Sequence, residues 1–306
     1  MKPKVVVIVG PTASGKTNLS IKLAKKINGE IISADSMQVY KDMNIGTAKI
    51  TNEEMEGIKH YLIDFVSPDE RYTVSDFTKD CNIAIEEILK NNKLPIVVGG
   101  TGLYINSLIY EIKYNEMKYD EEYRNILIKE AEESEGLEKI WNMANEIDPL
   151  AMSKISRNDK KRIIRVLEIY KATGKNKTEL EKESRRTDTK YDYLVYGINI
   201  ERDKLYERIN NRVDKMIESG LIEEVEGILK KYQRFPTAMQ GLGYKEVVLY
   251  LEGKYKKEEM IEKIKQETRR YAKRQMTWFR KNKSIIWLDA EANIDENIRI
   301  ISSNIY

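Results

Sequence analysis

Eight residues near the start of the chain, Gly10-Pro11-Thr12-Ala13-Ser14-Gly15-Lys16-Thr17, constrain the fold more than any other stretch. Lys4 to Val9, just before them, is β-branched and apolar, the pattern of a strand buried on both faces. Asn18 to Lys26, just after, reads as an amphipathic helix with Leu19 and Leu23 on one side and Ile27 continuing it. A strand, then G-x-x-x-x-G-K-T, then a helix is the setting of a phosphate-binding loop. Two glycines let the backbone curl so that its N–H groups point inward. The helix N-terminus adds a partial positive charge, Lys16 adds a full one, and the Thr17 hydroxyl can sit on a Mg²⁺ ion. Such a loop calls for at least a diphosphate. It does not say whether that diphosphate belongs to a nucleotide.

The rest of the composition narrows the class. The 306 residues suffice for one α/β domain with an insertion, or for two domains. No apolar run reaches membrane-spanning length, and the first strand begins too soon for a signal peptide, so a cytoplasmic protein is expected. One cysteine, Cys81, precludes an intramolecular disulfide and a cysteine zinc site, and one histidine, His60, precludes histidine clusters. Cys81 lies in a helical pattern and reads as core. With no exposed apolar seam evident, a monomer is the default. The net charge of +3 averages unlike segments. Thr268 to Lys283 carries Arg269, Arg270, Lys273, Arg274, Arg280, Lys281 and Lys283 with no acid, and residues 157–190 are also basic. Charge so segregated suits a polyanion larger than a diphosphate, or else a solvated helix face.

Along the chain, Glu30 to Ala34 reads as a second strand that delivers Asp35 to its C-terminal end, where an open α/β sheet keeps its ligand crevice. Asp35 can be a Mg²⁺ ligand, a general base or a helix N-cap. Tyr61 to Asp64 reads as a third strand. Ser75 to Lys90 reads as a helix with Phe77, Ile83, Ala84, Ile88 and Leu89 inward. Pro95 to Val98 is another apolar strand, ending in Gly99-Gly100-Thr101-Gly102. There Thr101 can orient a ligand by hydrogen bonding, cap a helix, or both. From 115 to 190 strand patterns vanish and helical periodicity takes over, which marks a helical insertion domain between core segments 1–114 and 191–306. Tyr191 to Ile200 alternates like a strand of the main sheet. Helices are expected at Asp203–Glu218, Ile222–Lys231, Lys245–Leu251 and Lys257 to about Asn282. On the last, Tyr271, Trp278 and Phe279 are interleaved with cations, a mixture suited to RNA. Trp278 by itself reads as core.

Taken together these stretches resemble the bacterial tRNA dimethylallyltransferase (tRNA isopentenyltransferase) family. The matching runs, in family order, are GPTASGKT at 10–17, DSMQVY at 35–40, GTAK at 46–49, VGGTGLY at 98–104 and DP at 148–149. They continue with NDKKRIIRVLE at 158–168, RVDKMIESGLIEEV at 212–225, GLGYKE at 241–246 and TRRYAKRQMTWFRK at 268–281. The resemblance implies an α/β fold, a P-loop NTPase-like parallel sheet flanked by helices, with an all-helical insertion. It implies transfer of a dimethylallyl group from dimethylallyl diphosphate to N6 of the adenosine just 3′ of the anticodon (position 37), in tRNAs reading codons that start with U, with Mg²⁺ assisting.

The resemblance also carries roles onto residues. Gly10 to Thr17 would grip the diphosphate, with Lys16 on the leaving group and Thr17 on the metal. Asp35 would be the base, and Asp35, Ser36, Met37 and Gln38 would touch the target nucleotide. Thr101 and Arg124 would contact the tRNA substrate. So would Lys161, Arg162, Ile163, Ile164 and Arg165. The same holds for Gln240, Gly241, Leu242, Gly243, Tyr244 and Lys245, and for Lys273, Arg274, Gln275, Met276, Thr277, Trp278, Phe279 and Arg280. The anticodon stem-loop is the implied macromolecular partner. A P-loop kinase acting on a small molecule or nucleotide is the main rival, since Arg157, Arg162 and Arg165 could form its lid. An RNA-binding protein switched by nucleotide is the other, and it predicts binding without product.

Overall fold

Five consecutive apolar residues, Val5 to Val9, have no exposed surface at all, and the sheet is built outward from them. The computed structural model describes residues 2–112, 120–184 and 188–305. In chain order the first elements are β1 (Lys4–Val9), α1 (Lys16–Ile27), β2 (Gly29–Ser33), β3 (His60–Tyr61), α2 (Val74–Lys90), β4 (Leu94–Gly99) and α3 (Gly102–Ile109). Helices α4 (Glu121–Glu130), α5 (Gly136–Ile147), α6 (Pro149–Met152), α7 (Lys160–Thr173) and α8 (Lys177–Ser184) follow. The chain then returns through β5 (Asp192–Asn199), α9 (Arg202–Glu218), α10 (Leu221–Lys231), α11 (Tyr244–Leu251), α12 (Lys257–Phe279), β6 (Ile286–Asp289) and α13 (Ile294–Ile305).

The strands form one six-stranded sheet in the order β3-β2-β4-β1-β5-β6, parallel throughout. Parallel strands with helical crossovers are covered on both faces, so their residues are apolar in sequence rather than alternating. Full burial of each such side chain is worth about 1.5–3 kcal/mol. The register sets Val9 opposite Gly99 and Ser33 opposite Val98, so β1, β2 and β4 end side by side. That shared edge carries the site.

Two compact units emerge, Met1–Ile109 with Lys190–Tyr306, and Tyr110–Thr189. The 114/115 boundary expected from composition lies outside the described residues. The second unit is all-helical among its described residues, with Leu127, Ile140, Ala144, Ile163, Ile164, Val166 and Leu167 buried at its centre.

Four local readings differ from the sequence expectation. The third strand is only His60–Tyr61, because Leu62 and Asp64 take left-handed backbone conformations that break the ladder. On α2, Ile83 is exposed and Ile85 is buried in its place. Strand β5 does not alternate: Val195, Tyr196, Gly197 and Ile198 are all buried, since it is an interior strand between β1 and β6. Strand β6 and helix α13 have no counterpart in the sequence reading. β6 has four residues, too few for a period to register, and it is recruited by pairing with β5.

Candidate active site

The three neighbouring strand ends supply three loops to one cavity of about 630 Å³. After β1 comes the phosphate loop. Gly15 stands at φ +91°, a left-handed conformation that glycine adopts freely, and it delivers the chain into α1. Helix α1 has no side-chain cap and no acid in its first turn. Its N-terminal N–H groups therefore meet no capping side chain, the condition under which a helix start can receive an anion. Lys16 folds back over the loop, its Nζ donating to the Pro11 carbonyl at 2.6 Å and lying 3.5 Å from Ser14 Oγ.

After β2, Asp35 lines the same cavity and its Oδ1 accepts from the backbone N–H groups of Met37 (2.8 Å) and Gln38 (3.3 Å). Of the three roles open to it, capping the following turn is therefore realised, and its carboxylate still faces the cavity. After β4, the Thr101 hydroxyl accepts from the Ser36 N–H at 3.2 Å, which ties the two loops together. The Gln38 side chain accepts from Ser33 and donates to the carbonyls of Thr47 (3.2 Å) and Ala48 (3.3 Å).

Two features of the cavity went unread in the sequence. One is Arg212 on α9, which lines the cavity and donates from Nη2 to the Thr47 carbonyl at 3.2 Å. A signal existed: Leu205, Ile209, Arg212 and Met216 follow the apolar stripe of α9, and an arginine on such a stripe is out of place unless something is built around it. The other is Gln275 on α12. The family resemblance places it among the tRNA contacts, but it is buried; its Oε1 accepts from the Thr12 N–H at 2.9 Å and its Nε2 donates to the Gly100 carbonyl at 2.9 Å. It stitches the basic helix to the phosphate loop.

Electrostatically the cavity is short of negative charge. Burial, and then the Arg212 guanidinium, push the Lys16 ammonium down to about 7, with Asp35 partly opposing. Arg212 is lowered by the same burial and supported by Asp35. Burial and Asp35 together push the Tyr271 hydroxyl up to about 12. Two desolvated cations against one carboxylate leave a place that an anion would relieve.

The sequence profile described as IPP transferase matches residues 38–282. The chain belongs to the IPP transferase family. It is 52% identical over 296 residues to the tRNA dimethylallyltransferase of Acetivibrio thermocellus, covering 96% of this chain and 94% of that one. It superposes on the tRNA isopentenylpyrophosphate transferase of Bacillus halodurans with a TM-score of 0.74 at 43% identity, covering 99% of this chain and 96% of that one. A eukaryotic dimethylallyltransferase acting on tRNA gives a TM-score of 0.82 at 34% identity, covering 99% of this chain and 79% of that one.

The remaining residues that the sequence singled out in this IPP transferase family member fall in distinct places. Gln240 to Lys245 line or border the cavity, with Gln240 and Lys245 exposed and Gly241, Gly243 and Tyr244 buried. On α12, Lys273, Arg274, Thr277, Trp278 and Arg280 are exposed, whereas Gln275, Met276 and Phe279 face the core. Trp278 is 39% exposed and lies against the backbone of Gly102, so it is not the core residue expected. Cys81 is buried, as its helical pattern suggested. In the second unit Arg124 pairs with Glu168 at 2.8 Å, Ile163 and Ile164 are core, and Lys161, Arg162 and Arg165 face outward. Among the described residues no group of three or more His, Cys, Asp or Glu could hold a metal, and no helix is long and apolar enough to cross a membrane.

Proposed function

We propose that the chain is a tRNA dimethylallyltransferase, transferring the dimethylallyl group of dimethylallyl diphosphate to N6 of the adenosine just 3′ of the anticodon. The observation that carries this reading is the meeting of Lys16, Arg212 and Asp35 in one cavity, walled by a basic helix that Gln275 fastens to the phosphate loop. The loop N–H groups, Lys16 and Arg212 hold the diphosphate and stabilise the charge that grows as the allylic C–O bond breaks. The adenine amine is a weak nucleophile, because its lone pair is delocalised into the ring. It forms the new N–C bond only when held in line with the allylic carbon, and such positioning is worth up to roughly 7–11 kcal/mol. Asp35 takes the amine proton as the bond forms, and diphosphate leaves. Thr101, tied to Ser36, sets the distance between the Asp35 turn and the β4 loop.

Mg²⁺ suits this site as a partner of the substrate. The Thr17 hydroxyl is exposed at the N-terminus of α1, and Mg²⁺ is commonly held by one or two protein oxygens plus phosphates and water. Bound there, it would neutralise charge on the departing diphosphate. The target adenosine must leave its stack to reach Asp35, so the anticodon arm has to be gripped around it. The exposed residues of 273–280, together with Gln240, Lys245, Arg124 and the outward cations of 161–165, are the proposed grip. Substrates would be tRNAs reading codons that start with U, and the enzyme would act as a monomer in the cytoplasm. Nucleoside mass spectrometry of unmodified tRNA incubated with the protein, dimethylallyl diphosphate and Mg²⁺ tests the reading. N6-dimethylallyladenosine that disappears when the adenosine is changed to guanosine supports it. ATP consumption without that product would move the kinase reading to the front.

A further inference from the structure

The chemistry above leaves unused the stretch Gly46 to Lys49, the acid Glu224 and the hydroxyl of Tyr244, yet Gly46, the first residue of that stretch, meets both side chains at one point. The backbone N–H groups of Asn44 and Ile45 reach Glu224 Oε2 at 2.9 and 2.7 Å, and that of Gly46 reaches Oε1 at 3.1 Å. The fully buried Tyr244 donates its hydroxyl to the same Oε1 at 2.5 Å. Its ring lies so close to Gly46 that a Cβ there would stand 2.4 Å from Cε2. Successive N–H groups converging in this way make a nest for an anion. Here the anion is the chain's own carboxylate, in the first turn of α10. One residue further on, the Thr47 carbonyl accepts from both Gln38 and Arg212, each at 3.2 Å.

We infer that Glu224 and Tyr244 are positioning residues for the transfer: they lock the 44–47 turn so that one carbonyl, that of Thr47, aims Arg212 at the diphosphate and Gln38 at the nucleotide. The inference rests on the function proposed for that cavity. The role inferred for both runs through the turn and not through contact with the reacting atoms. Because the acceptor is shared, loosening the turn takes a hydrogen bond from both side chains at once, Gln38 keeping its contacts to Ser33 and Ala48. A carboxylate in a nest of N–H groups cannot be matched by an amide, whose NH₂ end repels them.

The test measures binding of inorganic diphosphate by calorimetry, and transfer kinetics, in the full chain. Glu224→Gln is expected to weaken diphosphate binding about tenfold, and Tyr244→Phe, which keeps the buried ring, about threefold, with kcat falling in step. In an Arg212→Ala background, Glu224→Gln should add less than about twofold, because its effect passes through the group already removed. Losses that multiply independently in the double variant would overturn the assignment, since a purely structural acid has no reason to share its effect with Arg212. Should Glu224→Gln fail to fold, Tyr244→Phe decides alone: wild-type affinity overturns, and a loss that vanishes in the Arg212→Ala background supports. A wild-type protein that makes no dimethylallylated tRNA would instead sink the functional reading on which the assignment rests.

Discussion

The positive charge of this protein lives in two kinds of place. Inside the cavity Lys16 and Arg212 are desolvated and face a single carboxylate, and Arg212 adds to the burial that lowers the proton affinity of Lys16. On α7 three cations are already paired with acids: the half-buried Lys160 with Glu132 at 2.9 Å, and the exposed Arg162 with Asp159 at 3.3 Å and Arg165 with Glu168 at 3.3 Å. Helix α12 stands between these extremes. Its Lys273, Arg274 and Arg280 are exposed and make no ion pair among the described residues. A buried, unneutralised cation costs stability, whereas a surface ion pair changes it little. The comparison therefore teaches that counting basic residues does not locate function; what matters is whether the protein already supplies the counter-charge. It predicts that cavity variants change turnover and that helix variants change tRNA affinity.

The largest effects belong in the cavity. Asp35→Ala should lower transfer by about 10²–10⁴-fold. Arg212→Ala and Lys16→Ala should each cost about 10²–10³-fold. In all three, tRNA affinity measured by filter binding should stay within a few-fold of wild type. A cavity variant that turned over normally but lost tRNA binding would erase the distinction.

The same comparison yields a pH signature. With its ammonium near 7, Lys16 is mostly neutral in the free enzyme at pH 8, while a bound diphosphate favours the charged form and raises its proton affinity. Binding at pH 8 must then take up a proton, and affinity must fall as pH rises above about 7, by no more than about tenfold per pH unit for one proton. Calorimetry of diphosphate binding in buffers of different ionisation enthalpy measures the uptake. Lys16→Arg, charged at every pH used, provides the baseline that contains only the proton chemistry of diphosphate itself.

How much of this was legible in the chain follows the same division. The phosphate loop, Lys16 and Asp35 could be read because local spacing alone places them at strand ends. Gln275 could not: in sequence it is one polar residue in the basic run 268–283, and only the rotation of α12 against the phosphate loop turns it inward. Arg212 was hidden for the opposite reason, being one charge among many on α9 until its place on the buried stripe is seen. Ile163 and Ile164 travelled with a basic motif yet serve the core of their own unit. Motif runs give chain order, but a helix shares each run between two faces, and the face is decided by tertiary packing. The fold was legible in its long buried strands and missed at β6, whose four residues are held by a neighbour rather than by their own pattern.

A middle-sized effect is expected on α12. Replacing Lys273, Arg274 and Arg280 together by alanine removes three unneutralised cations, so the slope of log affinity for tRNA against log salt should fall by roughly 2–3. At low salt the loss should be about tenfold or more, with kcat at saturating tRNA falling only by what the Arg274 change contributes. Arg274, which also lines the cavity, is the one of the three whose single variant should touch kcat as well.

The smallest effect should come from α7. Arg162→Ala with Arg165→Ala removes as much formal charge as two of the α12 changes, but each arginine leaves behind an acid it had been neutralising. Glu168 keeps Arg124 at 2.8 Å, so it stays paired, while Asp159 still caps the helix through the Arg162 N–H at 3.1 Å. A phosphate recruiting either arginine must first break its ion pair, which cancels part of the gain. The double variant should therefore weaken tRNA binding by less than about threefold and change the salt slope by less than about 1. A loss equal to that of the α12 variant would show that the arginines exchange carboxylate for phosphate at no net cost. In that case exposure alone, and not the supply of counter-charge within the protein, would decide which cations bear on tRNA.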